Sequence, residues 1–171
     1  VTLSLGFFMT LLDLSIVNIA IPDMMSSLDA SLDRTLWVVS GYALALSVLI
    51  ITASRLGDLH GPRTLFAAGL AVFTLASVAC GLAPTASALI AARAVQGLGA
   101  ALLTPQTTTL VVAVFPAERR GRAMGVWGMV AGLATLCGPT LGGFLVFAAN
   151  WRWIFLVNVP VGAAALALTF L

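Results

Sequence analysis

From Thr35 to Ser54 the chain runs without one charged side chain, and the same holds for Thr64 to Ala83. A helix crossing a bilayer needs about 20 mostly apolar residues at a rise of about 1.5 Å each. Ala123 to Ala149 and Trp153 to Leu171 are equally free of charge, Thr85 to Phe115 holds only Arg93, and Leu3 to Pro22 holds only Asp13. The sequence therefore predicts an all-α, polytopic membrane protein with six transmembrane helices over 3–22, 35–54, 64–83, 85–115, 123–149 and 153–171. Charged residues are 8% of the 171 positions, against roughly 25% in a soluble domain. No polar helix exists to cover a water-soluble core. Barrel strands would alternate polar and apolar residues over about ten positions, and these runs do not.

The eight basic residues are all arginines, and their positions set an orientation. Arg55, Arg63, Arg119, Arg120 and Arg122 fall in the second and fourth connections, whereas Arg34 and Arg152 fall in the first and fifth. Basic residues in short loops favour the cytoplasm, so both chain ends are expected there, in a multi-pass protein of the cell membrane. Asp23, Asp29 and Asp33 then share the outer side, and Trp37, Trp151 and Trp153 are expected at the outer interface. Between Asp23 and Arg34, Met25, Leu28 and Leu32 are spaced as in an interfacial helix, although a solvated loop fits as well. The scattered arginines exclude a nucleic-acid-binding face. Cys80 and Cys137 lie in apolar runs and are expected to pack rather than pair. A signal peptide is not expected, because the first segment lacks a basic start and carries Asp13. The abrupt apolar ends at Val1 and Leu171 predict a piece of a longer protein.

Two ionisable residues within the spans carry the chemistry. A charge at a helix centre costs about 2.5 to 3.5 kcal/mol on insertion scales and marks a functional site or a partnered group. Asp13 lies about 14 Å below the outer end of its helix and Arg93 about 12 Å below the outer end of its own. At matching depths, both are expected to face one polar cavity. Burial favours a neutral carboxyl and an adjacent arginine favours a charged one, and that competition suits an acid that takes up and releases a proton. A permanent ion pair that only fixes packing also fits.

Gly125, Gly128 and Gly132, then Gly138-Pro139 and Gly142-Gly143, recur along the fifth span. Small residues at such spacings let helices approach closely, and a proline frees a carbonyl and bends the helix. This span is expected to make a tight, bent contact. RLGDLHGPR (Arg55–Arg63) is expected to be a sharp connection turned by Gly57 and Gly61, with Asp58 accepting from a neighbouring helix N-terminus. His60 is expected to be an ordinary loop residue.

Four of these stretches resemble motifs of the major facilitator superfamily, in particular its 14-helix drug:proton antiporter (multidrug efflux) branch. LDLSIVNIAIP (Leu12–Pro22) resembles the first-helix motif whose acid is implicated in proton coupling. RLGDLHGPR resembles the loop that latches the cytoplasmic side, with Asp58, Gly61 and Arg63 matching. RAVQGLGAA (Arg93–Ala101) resembles the fourth-helix motif, with Arg93, Gln96, Gly97 and Gly99 matching and the arginine linked to proton transfer. GPTLGG resembles the fifth-helix antiporter motif, carried by Gly138, Pro139, Gly142 and Gly143. WRWIFLVNVP (Trp151–Pro160) also looks like that branch before its sixth helix. The departures are Ser54, Leu59 and Pro62 in the loop motif, which would weaken the latch, and Ala134 in place of a leading glycine.

The resemblance implies the N-terminal six-helix half of a transporter, built as two three-helix repeats in which the first and fourth helices are equivalent. It implies export of a small amphipathic compound in exchange for protons, with the C-terminal half of the same transporter and the lipid bilayer as partners. No metal or nucleotide cofactor is implied, the proton gradient being the energy source. The alternatives are a proton symporter taking up a sugar or small acid and a membrane subunit that transports nothing. A membrane-embedded enzyme is disfavoured, since the only histidine lies in a connection.

Overall fold

The computed structural model describes residues 2–170, and the described residues form helices and no strand. Six helices are long and apolar enough to cross a membrane: α1 (Thr2–Ser27), α2 (Leu32–His60), α3 (Pro62–Gly81), α4 (Ala86–Val114), α5 (Ala117–Ala148) and α6 (Trp153–Phe170). The expected end of the sixth span at Leu171 lies outside the described residues.

Six helices coincide with the apolar runs, and three of them, α1, α2 and α5, outlast those runs. α1 tightens into a 3-10 turn at Val17–Ala20 and then continues through Pro22 to Ser27. Asp23 to Ser27 therefore extends the first span, and a separate interfacial helix is not formed. Asp29 makes the turn that follows, at φ 47°, a left-handed conformation that aspartate tolerates better than most residues. α2 runs past Ser54 to His60, and α5 begins at Ala117, taking Arg119, Arg120 and Arg122 into its first turns. Hydropathy locates a lipid-compatible stretch, whereas the backbone hydrogen-bond ladder continues for as long as polar side chains can reach water.

The helix ends have local causes. Ser31 and Thr85 cap α2 and α4 by accepting from the backbone N–H of Arg34 and Ala88. The connection between α2 and α3 is Gly61 alone, at φ 87°, followed by Pro62 in the first turn of α3. The expected loop Arg55–Arg63 is thus mostly helix, and Gly57 has another task, described below.

α3 and α4 form the centre of the bundle. In their most apolar stretches 56% and 50% of residues are buried, against 22% in α2 and 17% in α5. Gly69 of α3 and Gly99 of α4 face each other so closely that a β-carbon on Gly99 would stand 2.9 Å from the Gly69 carbonyl oxygen. Two apolar clusters fill the interior. One gathers Ile16, Val38, Cys80, Leu89, Trp151 and Phe155, and the other Met9, Tyr42, Phe66, Phe73, Leu103 and Ala165.

Trp151 corrects an expectation. Its ring is 2% exposed and its indole N–H donates to Ser27 Oγ, so it belongs to the core; Trp37 and Trp153 do lie half-exposed. The apolar face of Trp151 packs edge-on against Phe155, and its one polar group finds a partner at the end of α1. Arg152 stacks on Trp151 and donates to the Gly81 and Ala83 carbonyls at 3.0 and 2.7 Å, closing the C-terminal end of α3.

Candidate functional site: a buried polar layer

On α1, α3, α4 and α6 the chain sets buried polar residues between positions of the two apolar clusters. Asp13 lies between Met9 and Ile16 on α1, Ser77 between Phe73 and Cys80 on α3, and Gln96 between Leu89 and Ala100 on α4. Asn158 of α6 falls between Phe155 and Ala165. Asp13, Ser77, Arg93 and Gln96 are 0% exposed and Asn158 is 1%. Apolar packing above and below seals them from water, so each polar atom requires a partner inside.

Arg93 Nη1 donates to Asp13 Oδ2 at 2.5 Å, and this is the one ion pair among the described residues. The same nitrogen donates to Gln96 Oε1 at 2.8 Å, and Arg93 Nε donates to the Val38 carbonyl of α2 at 3.1 Å. The guanidinium lies 4.3 Å from the centre of the Tyr42 ring and 5.6 Å from that of Phe155, which adds aromatic faces to its stabilisation. Gln96 Nε2 donates to Asp13 Oδ1 at 3.1 Å and to Ser77 Oγ at 2.7 Å. Asn158 Nδ2 reaches Asp13 Oδ1 at 3.5 Å, and the Cys80 thiol reaches Gln96 Oε1 at 3.5 Å. Within the described residues, Arg93 Nη2 and the Tyr42 hydroxyl have no hydrogen-bond partner.

The amide of Gln96 has only one orientation that works. Its oxygen faces the donors Arg93 and Cys80, and its nitrogen faces Asp13 and Ser77. A flip would set the NH₂ against two donors and the oxygen against a carboxylate. Asp13, Ser77, Arg93 and Cys80 together hold the amide in place. Five helices meet in this layer, and only α5 contributes nothing to it.

The depth argument brought Asp13 and Arg93 together, and the structure places them in contact. Sequence reasoning left Cys80 as a packing residue; it is buried, and its thiol also touches the layer. Tyr42, Ser77 and Asn158 were missed. Their signal was a single polar residue inside an otherwise apolar span, which hydropathy averages away.

The remaining candidate residues divide. Gly97 and Gly99 let α4 approach α2 and α3: a β-carbon on Gly97 would lie 2.9 Å from Ala45 Cβ and collide with the Tyr42 carbonyl. Gly57 makes room for the amide of Gln106, which donates to the Ala53 carbonyl at 3.0 Å, so it serves a helix contact and not the turn. Asp58 is exposed on the last turns of α2, and no helix N-terminus donates to it among the described residues. The expected hydrogen bond is not formed because Asp58 lies within a helix and faces outward. Arg63 donates through Nε and Nη2 to the Thr169 carbonyl, tying the start of α3 to the end of α6.

On α5 the tight contact is confined to one end. Gly138 and Gly142 pack on α1, where their β-carbons would lie 2.7 Å from Ser15 Cβ and 2.9 Å from Ile16 Cγ1. Gly125, Gly128, Gly132 and Gly143 face open space. The close contact expected along the whole motif is absent there because no helix of this chain lies against that face. α5 remains helical through Pro139 without interruption.

Residues 3–171 match the Major Facilitator Superfamily family. The chain belongs to that superfamily. It is 48% identical to the multidrug resistance protein Stp of Mycobacterium tuberculosis over 96% of this chain and 31% of that protein. It is 44% identical to the methylenomycin A resistance protein of Streptomyces coelicolor over 98% of this chain and 36% of that protein. Among solved structures, a peptide transporter superposes with a TM-score of 0.86 over 99% of this chain and 36% of that one, at 19% identity, which shows the shared fold. The chain spans about a third of the length of these relatives. It is a multi-pass membrane segment of a member of that superfamily, and members of that superfamily are not enzymes.

Proposed function

We propose that the chain is one six-helix domain, the N-terminal half of a transporter that exports small amphipathic compounds, drugs among them, in exchange for protons. The observation that carries this reading is the sealed contact between Asp13 of α1 and Arg93 of α4. A fixed pair joining two helices of a transporter resists their separation, and a proton on Asp13 removes the charge that Arg93 neutralises. The three donors that converge on Asp13, from Arg93, Gln96 and Asn158, suit a charged carboxylate. Protonation therefore favours a different arrangement of α1 against α4, which is the differential a proton needs to shift a conformational equilibrium. The resistance named in the two relatives supports export as the direction of transport.

The other parts follow from the same reading. The exposed faces of α2 and α5 meet the C-terminal half, and rocking of the halves gives alternating access around a midplane cavity. Five arginines at one end, against Arg34 and Arg152 at the other, support a cytoplasmic position for that end and both chain termini in a cell-membrane protein. Asp58, Gly61 and Arg63 hold the cytoplasmic side, and Gly138, Pro139, Gly142 and Gly143 form the contact on which α5 moves against α1.

Dye transport by the full-length parent in inverted membrane vesicles tests the proposal, comparing wild type with Asp13→Asn, with and without a pH gradient. Gradient-dependent transport by wild type alone supports proton-coupled export through Asp13. Equal transport by both proteins removes Asp13 from the coupling, and movement in the uptake direction replaces export by symport.

A further inference from the structure

Two polar groups in the sealed layer take no part in its hydrogen bonds. Arg93 Nη2 and the Tyr42 hydroxyl have no partner among the described residues, and both side chains are 0% exposed. Burial within this chain keeps lipid, and any other domain, away from them. Unpaired polar groups are rare in a folded interior, and two in one layer call for a reason.

Both belong to one cradle, and α2 builds most of it. Val38 and Tyr42 are four residues apart on α2, so they share a face. The Val38 carbonyl accepts from Arg93 Nε at 3.1 Å, and the guanidinium carbon lies 4.3 Å from the centre of the Tyr42 ring. The charges that act on the Tyr42 hydroxyl are those of Asp13 and Arg93. Gly97 fits α4 against the same turn of α2, where a β-carbon would collide with the Tyr42 carbonyl. By contrast, α1 holds the guanidinium through one hydrogen-bonding group among the described residues, the Asp13 carboxylate.

A proton on Asp13 weakens that hold. Arg93 then stays charged in a site closed to water, where an unbalanced cation is costly unless other groups take it up. Gln96 Oε1 and the Val38 carbonyl already accept from Nη1 and Nε. Of the groups without a partner, Tyr42 supplies an oxygen that can accept and Arg93 an N–H that can donate. We propose that Tyr42 is a positioning residue for Arg93. When Asp13 is neutral, the Tyr42 hydroxyl accepts from Arg93 Nη2 and its ring faces the guanidinium, so Arg93 stays with α2 and α4 while α1 is released. Neither Arg93 nor Tyr42 gives up a proton in this exchange. Its place in transport rests on the reading that Asp13 carries the coupling proton; the exchange of partners belongs to the layer itself.

A double-mutant cycle on the full-length parent decides the matter. Asp13→Asn stands for the neutral acid, and Tyr42→Phe removes the hydroxyl while keeping the ring. Tyr42→Phe alone should melt no lower than wild type, because the hydroxyl it deletes has no partner in this arrangement. In the Asp13→Asn background the same change should lower the melting temperature by about 2 °C or more. An equal fall in both backgrounds would make the hydroxyl an ordinary contact, and no fall in either would show that Arg93 does not use it; each result overturns the proposal. The second readout is gradient-driven dye transport in inverted vesicles, where Tyr42→Phe should slow transport about tenfold with dye binding unchanged. Full-rate transport by Tyr42→Phe overturns its part in coupling. Wild-type transport indifferent to the gradient would instead remove the proton-coupled reading, while the melting cycle still judges Tyr42.

Discussion

α4 and α5 are written in similar letters and packed in opposite ways. Each is a long apolar helix with an internal proline, Pro105 or Pro139, and a set of closely spaced glycines. In α4 the motif glycines stand against backbone of α2 and α3, and Arg93 and Gln96 point into the polar layer. In α5 only Gly138 and Gly142 meet a neighbour, while Gly125, Gly128 and Gly132 are bare. A small residue permits close approach; whether anything approaches depends on where the neighbouring helices run.

The largest effect should come from the charge that α4 buries. Arg93→Ala leaves Asp13 enclosed without its partner, a loss of about 3–5 kcal/mol, read as a fall in the denaturation midpoint of the full-length parent. Adding Asp13→Leu to that variant should restore part of the loss, since no charge then remains buried. If the double change is as costly as the sum, the layer is held by packing, and the contrast with α5 loses its electrostatic half.

Gly99→Leu comes next, because the added atoms meet the Phe73 and Gly69 backbone, which cannot turn aside. A loss of about 3 kcal/mol is expected by the same measurement. On α5, Gly138→Ala should cost less, about 2 kcal/mol, because the Ser15 hydroxyl can rotate away, although Ser15 Cβ at 2.7 Å obliges α1 to shift slightly. The smallest effect belongs to Gly128→Leu. Its β-carbon meets nothing within this chain, so a change within about 0.5 kcal/mol is expected for the chain expressed alone. The same variant in the full-length parent then sharpens the comparison. Lost transport with normal folding would place the bare face of α5 against the other half, and unaffected transport would leave that face to lipid.

Within the polar layer, legibility followed charge. Asp13 and Arg93 stood out because a charge in an apolar span is costly enough to demand a reason, and equal depth on two helices paired them. Ser77, Tyr42 and Asn158 did not, since a neutral polar residue in a span can be satisfied by its own backbone or at an interface. Gln96 came only through its place in a recognised motif. The helix ends show the same limit: Arg55–His60 and Arg119–Arg122 read as connections, because an arginine run marks water and does not mark where the backbone ladder stops.

The chain's order of apolar and charged residues determined by itself that it spans a membrane, how many times, and which of its few charges lie within the bilayer. Those outcomes rest on transfer free energy, a property each residue carries with it. Tertiary structure alone decided that Trp151 is core, that Gly57 receives Gln106, that Gln96 has one amide orientation, and that five of the seven glycines of α5 face open space. Each of these depends on which helices lie side by side and at what rotation, a relation between distant segments that no single stretch of sequence contains.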